Sequence, residues 1–173
     1  NSKIPEDGYV LSLCGPGVET IADNVKIGDK INIGIKLVPY TVAPEKIIHL
    51  ISGGPRLLKN GTLYVSKNEE KFKMDIAKGR AARTAIGITR DGNLLLVTID
   101  GLPREKSDRN DQASIGATLE ELSDLMLALG AVEAMNLDGG SSSTMVINGL
   151  VVNQPTAGYQ RGVSNAILVK PRS

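Results

Sequence analysis

Apolar and polar positions alternate in three stretches of this chain, and a two-residue turn signal breaks each one, which is the pattern of antiparallel hairpins. "RLLKNGTLYV" carries Asn60-Gly61 between its apolar runs, "TAIGITRDGNLLLVTID" carries Asp91-Gly92 and "STMVINGLVVN" carries Asn148-Gly149. Both dipeptide types supply the positive φ angles of a type I′ turn, whose twist matches that of paired strands. Further strands are predicted at "NVKIGDKINIGIKL", where Val25, Ile27, Ile31, Ile33, Ile35 and Leu37 alternate with polar or glycine positions, and at "VSNAILV" near the end of the chain.

The period changes in "ATLEELSDLMLALG". Leu119, Leu122, Leu125, Met126 and Leu129 fall on one helical stripe, Thr118 and Glu121 form a capping box, and Gly130 is a stop signal, so a helix is predicted over about 118–129. "SKNEEKFKMDIAKGR" reads either as a shorter helix or as an irregular exposed segment. "GLPREKSDRNDQASIG", residues 101–116, has no periodicity and reads as a charged surface loop over a site. The fold class expected is α+β: a large, mostly antiparallel or mixed sheet built from hairpins, with the 118–129 helix packed on one face.

Composition bounds this picture. At 173 residues and 41% hydrophobic content the chain suits one domain, residues 1–173. Twenty Lys and Arg stand against 19 Asp and Glu, and the net charge of +1 supplies no global field for nucleic acid or an anionic membrane. Aromatic residues make up only 3% of the chain, so base-stacking platforms are scarce, and a nucleic-acid partner is not expected. Cys14 and His49 are the only residues of their types, which argues against a disulfide and against zinc. His49 lies on an apolar run and reads as a packed residue rather than a base. No apolar run reaches the roughly 18 residues of a membrane span. The sequence leaves the oligomeric state open.

Candidate chemistry gathers where the helix runs through "AVEAMNLDGG" into "NLDGGSSST", residues 136–144. Asp138 ends a strand there, as Asp100 does in "LLLVTIDG". A plain turn accounts for Asp100 taken alone. It accounts less well for Gly139, Gly140, Ser141, Ser142, Ser143 and Thr144 in succession, because ordering so many small flexible residues costs backbone entropy. The alternative is a loop built for close approach, with backbone N–H groups and hydroxyls arranged around an anion. No Lys follows the glycines, so a nucleotide P-loop is not supported, and no G-x-S-x-G elbow occurs. Arg83, beside Thr84, and Arg161, ahead of Ser164 and Asn165, open two predicted strands and are candidates to pair with phosphate, against the default reading of solvated charges. Gly53 and Gly54 in "SGGPRLL" form a second segment suited to close approach.

Together "GGPRLLKNG", "RTAIGITRDGNLLLVTIDG", "TLEELSDLMLALGAVEAMNLDGGSSSTMV" and "RGVSNAILV" resemble the phosphodiester glycosidase family, in the family's motif order, from about residue 50 to 169. Residues 8–37 resemble the segment that precedes the family's Gly-Gly-Pro motif. The chain departs from the family at Ser141, which stands where the third glycine of Asn-Leu-Asp-Gly-Gly-Gly is usual, and the resemblance leads one to expect that it starts after a strand-rich N-terminal segment that members usually carry. The resemblance implies hydrolysis of a sugar-1-phosphodiester on its glycosidic side, with a glycan or sugar-phosphodiester as substrate and a secreted or cell-envelope location. On that reading the catalytic candidates are Asp138, Asp100, Arg83 and Arg161. The substrate-binding candidates are Asn136, Gly139, Gly140, Ser142, Ser143, Thr144, Thr84, Gly53, Gly54, Ser164 and Asn165. No cofactor is required, and a calcium or magnesium ion on Asp138, Asp100 and Asn136 is a weaker alternative. The rival from another class is a non-catalytic module that binds envelope glycan or a phosphorylated polymer.

Overall fold

The computed structural model describes residues 3, 5–10, 15, 18–32, 34, 43–73, 76, 79–103 and 114–171. The chain divides into two compact units, Asn1–His49 and Leu50–Ser173.

In the first unit the described residues form helix α1, Val18–Asn24, and a 3-10 turn at Pro44–Lys46. The alternation seen from Val25 to Ile31 does not become a strand. A turn interrupts it: the Lys26 N–H donates to Asp29 Oδ2 at 2.8 Å, the Asp29 N–H donates to the Lys26 carbonyl at 3.1 Å, and Gly28 takes φ 101°. An Asp side chain that satisfies a backbone donor three residues earlier competes directly with a ladder. Ile33, Ile35 and Leu37 lie outside the described residues.

The second unit is an antiparallel sheet with one helix. Its strands are β1 (Arg56–Lys59), β2 (Thr62–Leu63), β3 (Arg83–Thr89), β4 (Leu94–Ile99) and β5 (Ala131–Asn136), in the order β2-β1-β5-β3-β4. A separate two-stranded ribbon pairs β6 (Val146–Ile147) with β7 (Leu150–Val151). The sheet is therefore α+β in class, as the sequence pattern leads one to expect. The Asn60-Gly61 and Asn148-Gly149 turns have positive φ at both positions, as type I′ demands. The third hairpin differs. Only Gly92 has positive φ, its N–H donates to the Thr89 carbonyl at 3.0 Å, and the Thr89 N–H donates to the Asn93 carbonyl at 2.9 Å. That is a type I turn over Arg90-Asp91 followed by a glycine bulge, a longer loop than Asp91-Gly92 alone predicts.

Helix α2, Leu119–Ala128, has both halves of the capping box: Thr118 Oγ1 accepts from the Glu121 N–H, and the Glu121 carboxylate accepts from the Thr118 N–H. Leu119, Leu122 and Met126 are fully buried together with Ser123, whose hydroxyl donates to the Leu57 carbonyl at 2.8 Å. Leu125 and Leu129 are exposed, because the buried stripe follows 119, 122, 123 and 126 rather than continuing through every leucine. The core is this stripe against Leu57, Leu58, Ala85, Ala131 and Ala134. Leu57 and Leu58 are adjacent yet both buried, because the β1–β5 register shifts between Arg56 and Leu58.

"VSNAILV" forms no strand, and Val163, Ile167, Leu168 and Val169 are exposed. β-propensity alone makes no strand; a ladder partner is needed, and none pairs with this segment among the described residues. "SKNEEKFKMDIAKGR" begins as successive turns, with the Glu70 N–H on the Ser66 carbonyl and the Phe72 N–H on the Lys67 carbonyl. Residues 104–113 of the charged loop lie outside the described residues. Among the described residues no helix is long and apolar enough to cross a membrane.

Candidate active site

The site forms where β5 runs off the end of β3. Past Asn136 the chain stays tied to β3: the Leu137 N–H donates to the Thr84 carbonyl at 2.8 Å and the Gly140 N–H to the Ala82 carbonyl at 2.7 Å. On the other side the Gly54 N–H donates to the Asn136 carbonyl at 2.7 Å, and the Asn136 N–H to the Pro55 carbonyl at 3.0 Å. Two glycines make these approaches feasible. A Cβ on Gly139 would stand 2.7 Å from the Ala82 carbonyl oxygen, and one on Gly53 would stand 2.7 Å from the Asn136 carbonyl oxygen.

Between these segments lies a cleft of about 570 Å³, lined by Gly53, Gly54, Arg83, Asn136, Asp138, Gly139 and Gly140, with Phe72 and Ile76 among its apolar walls. It brings together seven of the residues expected from sequence, and Asp138 is the only carboxylate among the described residues that line it. A smaller cavity of about 320 Å³ lies along Ile86, Ile88 and Met135 and is almost wholly apolar. Its charged residues, Arg56, Glu70 and Glu133, are committed within the chain: Arg56 pairs with Glu133, and Glu70 accepts from the Arg56 N–H.

Two polar side chains of the first cleft, Asn136 and Arg83, are held by specific hydrogen bonds. Asn136 is buried; its Nδ2 donates to the Gly54 carbonyl at 2.8 Å and the Leu137 carbonyl at 2.9 Å, while its Oδ1 is buried without a partner among the described residues. Two carbonyls on one side fix the amide orientation, since a flip would set oxygen against oxygen. Arg83 is 4% exposed and donates from Nε to the Ala117 carbonyl at 2.9 Å and from Nη2 to the carbonyls of Gly79 and Ile76 at 2.6 and 3.3 Å. Burial pulls its pKa below the ordinary arginine value, partly opposed by Glu120, and the guanidinium still carries its charge at neutral pH. Its donors serve the fold first: they clamp the start of β3 to the segments before β3 and before α2.

The loop after Asp138 is also tied inward. Gly140, Ser142 and Ser143 give their N–H groups to the carbonyls of Ala82, Gly139 and Gly140 in a 3-10 turn, so these three are not presented to an anion as the glycine-serine pattern suggests. Ser143 is buried and its hydroxyl accepts from Thr84 Oγ1 at 3.0 Å, which makes this pair a pin between loop and strand. Thr144 Oγ1 is buried without a partner among the described residues. Arg161 is exposed and donates from Nη1 to Ser141 Oγ at 2.9 Å. Ser164 and Asn165 are exposed, outside the cleft lining.

Asp100 is placed elsewhere than beside Asp138 in that lining. Its Oδ1 accepts from Asn153 Nδ2 at 2.8 Å and its Oδ2 from the Gln154 N–H at 2.9 Å. Asn153 is the residue that sequence reasoning missed: the same Nδ2 reaches the Ser143 carbonyl at 3.1 Å, and its Oδ1 accepts from the Met145 N–H at 2.7 Å. One amide thus joins the end of β4 to the C-terminal end of the loop. Its only sequence signal is an Asn directly after a hairpin strand. Among the described residues there is no group of three or more His, Cys, Asp or Glu able to hold a metal ion.

The model of the phosphodiester glycosidase family matches residues 2–170. The chain belongs to this family. N-acetylglucosamine-1-phosphodiester alpha-N-acetylglucosaminidase of Bos taurus is 31% identical over 118 residues, which are 63% of this chain and 21% of that protein. The Mus musculus enzyme of the same name is 30% identical over 164 residues, 89% of this chain and 30% of that protein. The zebrafish catalytic domain of that enzyme, solved in a form auto-inhibited by its pro-peptide, is 27% identical with a TM-score of 0.49, covering 61% of this chain and 34% of that one. The chain therefore spans roughly a fifth to a third of the length of these family members.

Proposed function

We propose that this chain carries the sugar-side site of a phosphodiester glycosidase and hydrolyses the bond between the anomeric carbon and the phosphate of an N-acetylglucosamine-1-phosphodiester. The observation that carries this reading is the position of Asp138, the one carboxylate among the described residues lining the 570 Å³ cleft, in a chain of this family. Water adds its oxygen to the anomeric carbon, the electrons of the broken C–O bond leave with the phosphate, and the products are a free sugar and a phosphomonoester. The leaving group departs as a stable anion, so no second carboxyl is needed to protonate it, and a single carboxylate suffices to accept the proton of water and stabilise the oxocarbenium-like transition state. That fits a cleft from whose lining Asp100 is missing.

The two arginines then differ in role. Arg83 holds the cleft wall and adds positive field behind it, with its donors on three carbonyls. Arg161, exposed and bonded only to Ser141 among the described residues, keeps donors for phosphate oxygens. The test is product analysis in ¹⁸O-labelled water with an aryl N-acetylglucosamine-1-phosphodiester. The label is expected in the sugar; label in the phosphate means P–O cleavage and rejects the glycosidase reading, and binding without turnover points to a non-catalytic module.

A further inference from the structure

We propose that Ser141 is a positioning residue whose hydroxyl sets the pose of Arg161 for a phosphate group, which makes the Ser141–Arg161 pair a specificity element for the phosphorylated half of the substrate. This rests on the function proposed above. Its own ground is the 2.9 Å bond from Arg161 Nη1 to Ser141 Oγ. Ser141 belongs to the 3-10 turn Gly140–Ser142; Gly140 of that turn and Gly139, which precedes it, line the Asp138 cleft, so Ser141 directly follows the cleft-lining part of the loop that carries Asp138.

Three observations single out this pair. Arg83, the other arginine of the site, has its Nε and Nη2 committed to the Ala117, Gly79 and Ile76 carbonyls and is buried. The N–H groups of Gly140, Ser142 and Ser143 are committed within the chain, so they do not build an anion cradle there. Arg161 makes no salt bridge with a carboxylate among the described residues, and its one bond goes to a neutral hydroxyl that leaves its charge uncompensated. A free arginine samples many rotamers, and ordering it around a ligand costs side-chain entropy. A hydroxyl that holds one Nη in advance removes part of that cost while the remaining donors face outward. Ser141 carries the only side chain in the Gly139–Ser141 run, so the bond is a property of this serine and is absent with glycine or alanine.

The test measures binding of inorganic phosphate to the full chain by NMR titration, beside turnover of the aryl sugar-1-phosphodiester and of the corresponding aryl sugar without phosphate. Ser141→Ala is expected to weaken phosphate binding and raise KM for the phosphodiester by about three- to tenfold, with kcat and the phosphate-free substrate unchanged. Ser141→Thr, which keeps a hydroxyl, is expected to restore binding. In an Arg161→Ala background Ser141→Ala is expected to have no further effect, the coupling that defines a pair. The proposal is overturned by wild type that fails to bind phosphate, by Ser141→Ala that binds like wild type, or by a Ser141 effect that persists without Arg161. Coupling in phosphate binding without any turnover leaves the pair standing and removes the enzyme reading; turnover without coupling does the reverse.

Discussion

Asn153 donates from one Nδ2 to the carboxylate of Asp100 at 2.8 Å and to the backbone carbonyl of Ser143 at 3.1 Å. Asp100 is thereby tied to the Asp138 loop, and we propose that it serves as a strut of that loop rather than as a partner in its chemistry. Replacing Asp100 with Ala strips an acceptor from both Asn153 and the Gln154 N–H, and is expected to destabilise the chain by about 1–3 kcal/mol. Thermal unfolding measures it. Turnover per folded molecule should fall far less than for any change at Asp138, and an equal loss at both positions would restore Asp100 to the chemistry.

Arg83→Lys should act on the fold before it acts on substrate. A lysine is a point charge without the planar fork that meets Ala117 on one side and Gly79 and Ile76 on the other. The buried carbonyls it leaves unpaired set an expected loss of about 2–3 kcal/mol, read in urea unfolding with unchanged m-value. A fully stable Arg83→Lys chain with a raised KM would instead make Arg83 a substrate clamp.

The two loop glycines should respond differently to alanine. At Gly139 the new Cβ meets the Ala82 carbonyl oxygen at 2.7 Å, so the loop must move off β3. At Gly140 there is open space, and the cost comes from φ +59°, about 1–2 kcal/mol. Gly139→Ala is therefore expected to abolish turnover while Gly140→Ala lowers stability with most activity kept. Steady-state kinetics of the two variants decides this.

Acid should loosen the sheet through Glu133. Burial opposes ionisation of its carboxyl, but the hydrogen bonds from Arg56 Nη2 and the Asn60 N–H and the Arg56 charge outweigh it, and the folded pKa lies below the ordinary glutamate value of 4.5. A depressed carboxylate contributes stability that is complete above its unfolded value and is lost as the pH falls through the folded one. Both side chains are more than a third exposed, so the amount is below about 1 kcal/mol. Urea midpoints at pH 7 and in mild acid should converge between wild type and Glu133→Gln as the pH drops; a constant gap between the two contradicts the linkage.

Local chemistry made much of the second unit legible. Capping box, helix period and Asn-Gly turns each act within a few residues, and α2, the β1–β2 hairpin and the β6–β7 ribbon follow from them. Alternation misled where a competing local bond or a missing partner decided the outcome. At Val25–Ile31 the Asp29 side chain holds a turn, and at Val163–Val169 no strand pairs with the segment among the described residues. At the site, sequence singled out Asp138, Asn136 and the glycines that the fold gathers into one cleft. It could not separate Arg83 from Arg161, because that depends on which carbonyls surround each guanidinium. Nor could it find Asn153, whose partners lie 10 and 53 residues away.

The central claim is that Asp138 is the carboxylate that acts at the anomeric carbon. The direct measurement is kcat of wild type, Asp138→Asn and Asp100→Asn on an aryl N-acetylglucosamine-1-phosphodiester, with folding of each checked by circular dichroism. Asp138→Asn is expected to lose at least about a thousandfold in kcat with phosphate binding intact, within the scale of removing an essential catalytic carboxylate. An Asp138→Asn chain that is folded and turns over like wild type would contradict the account.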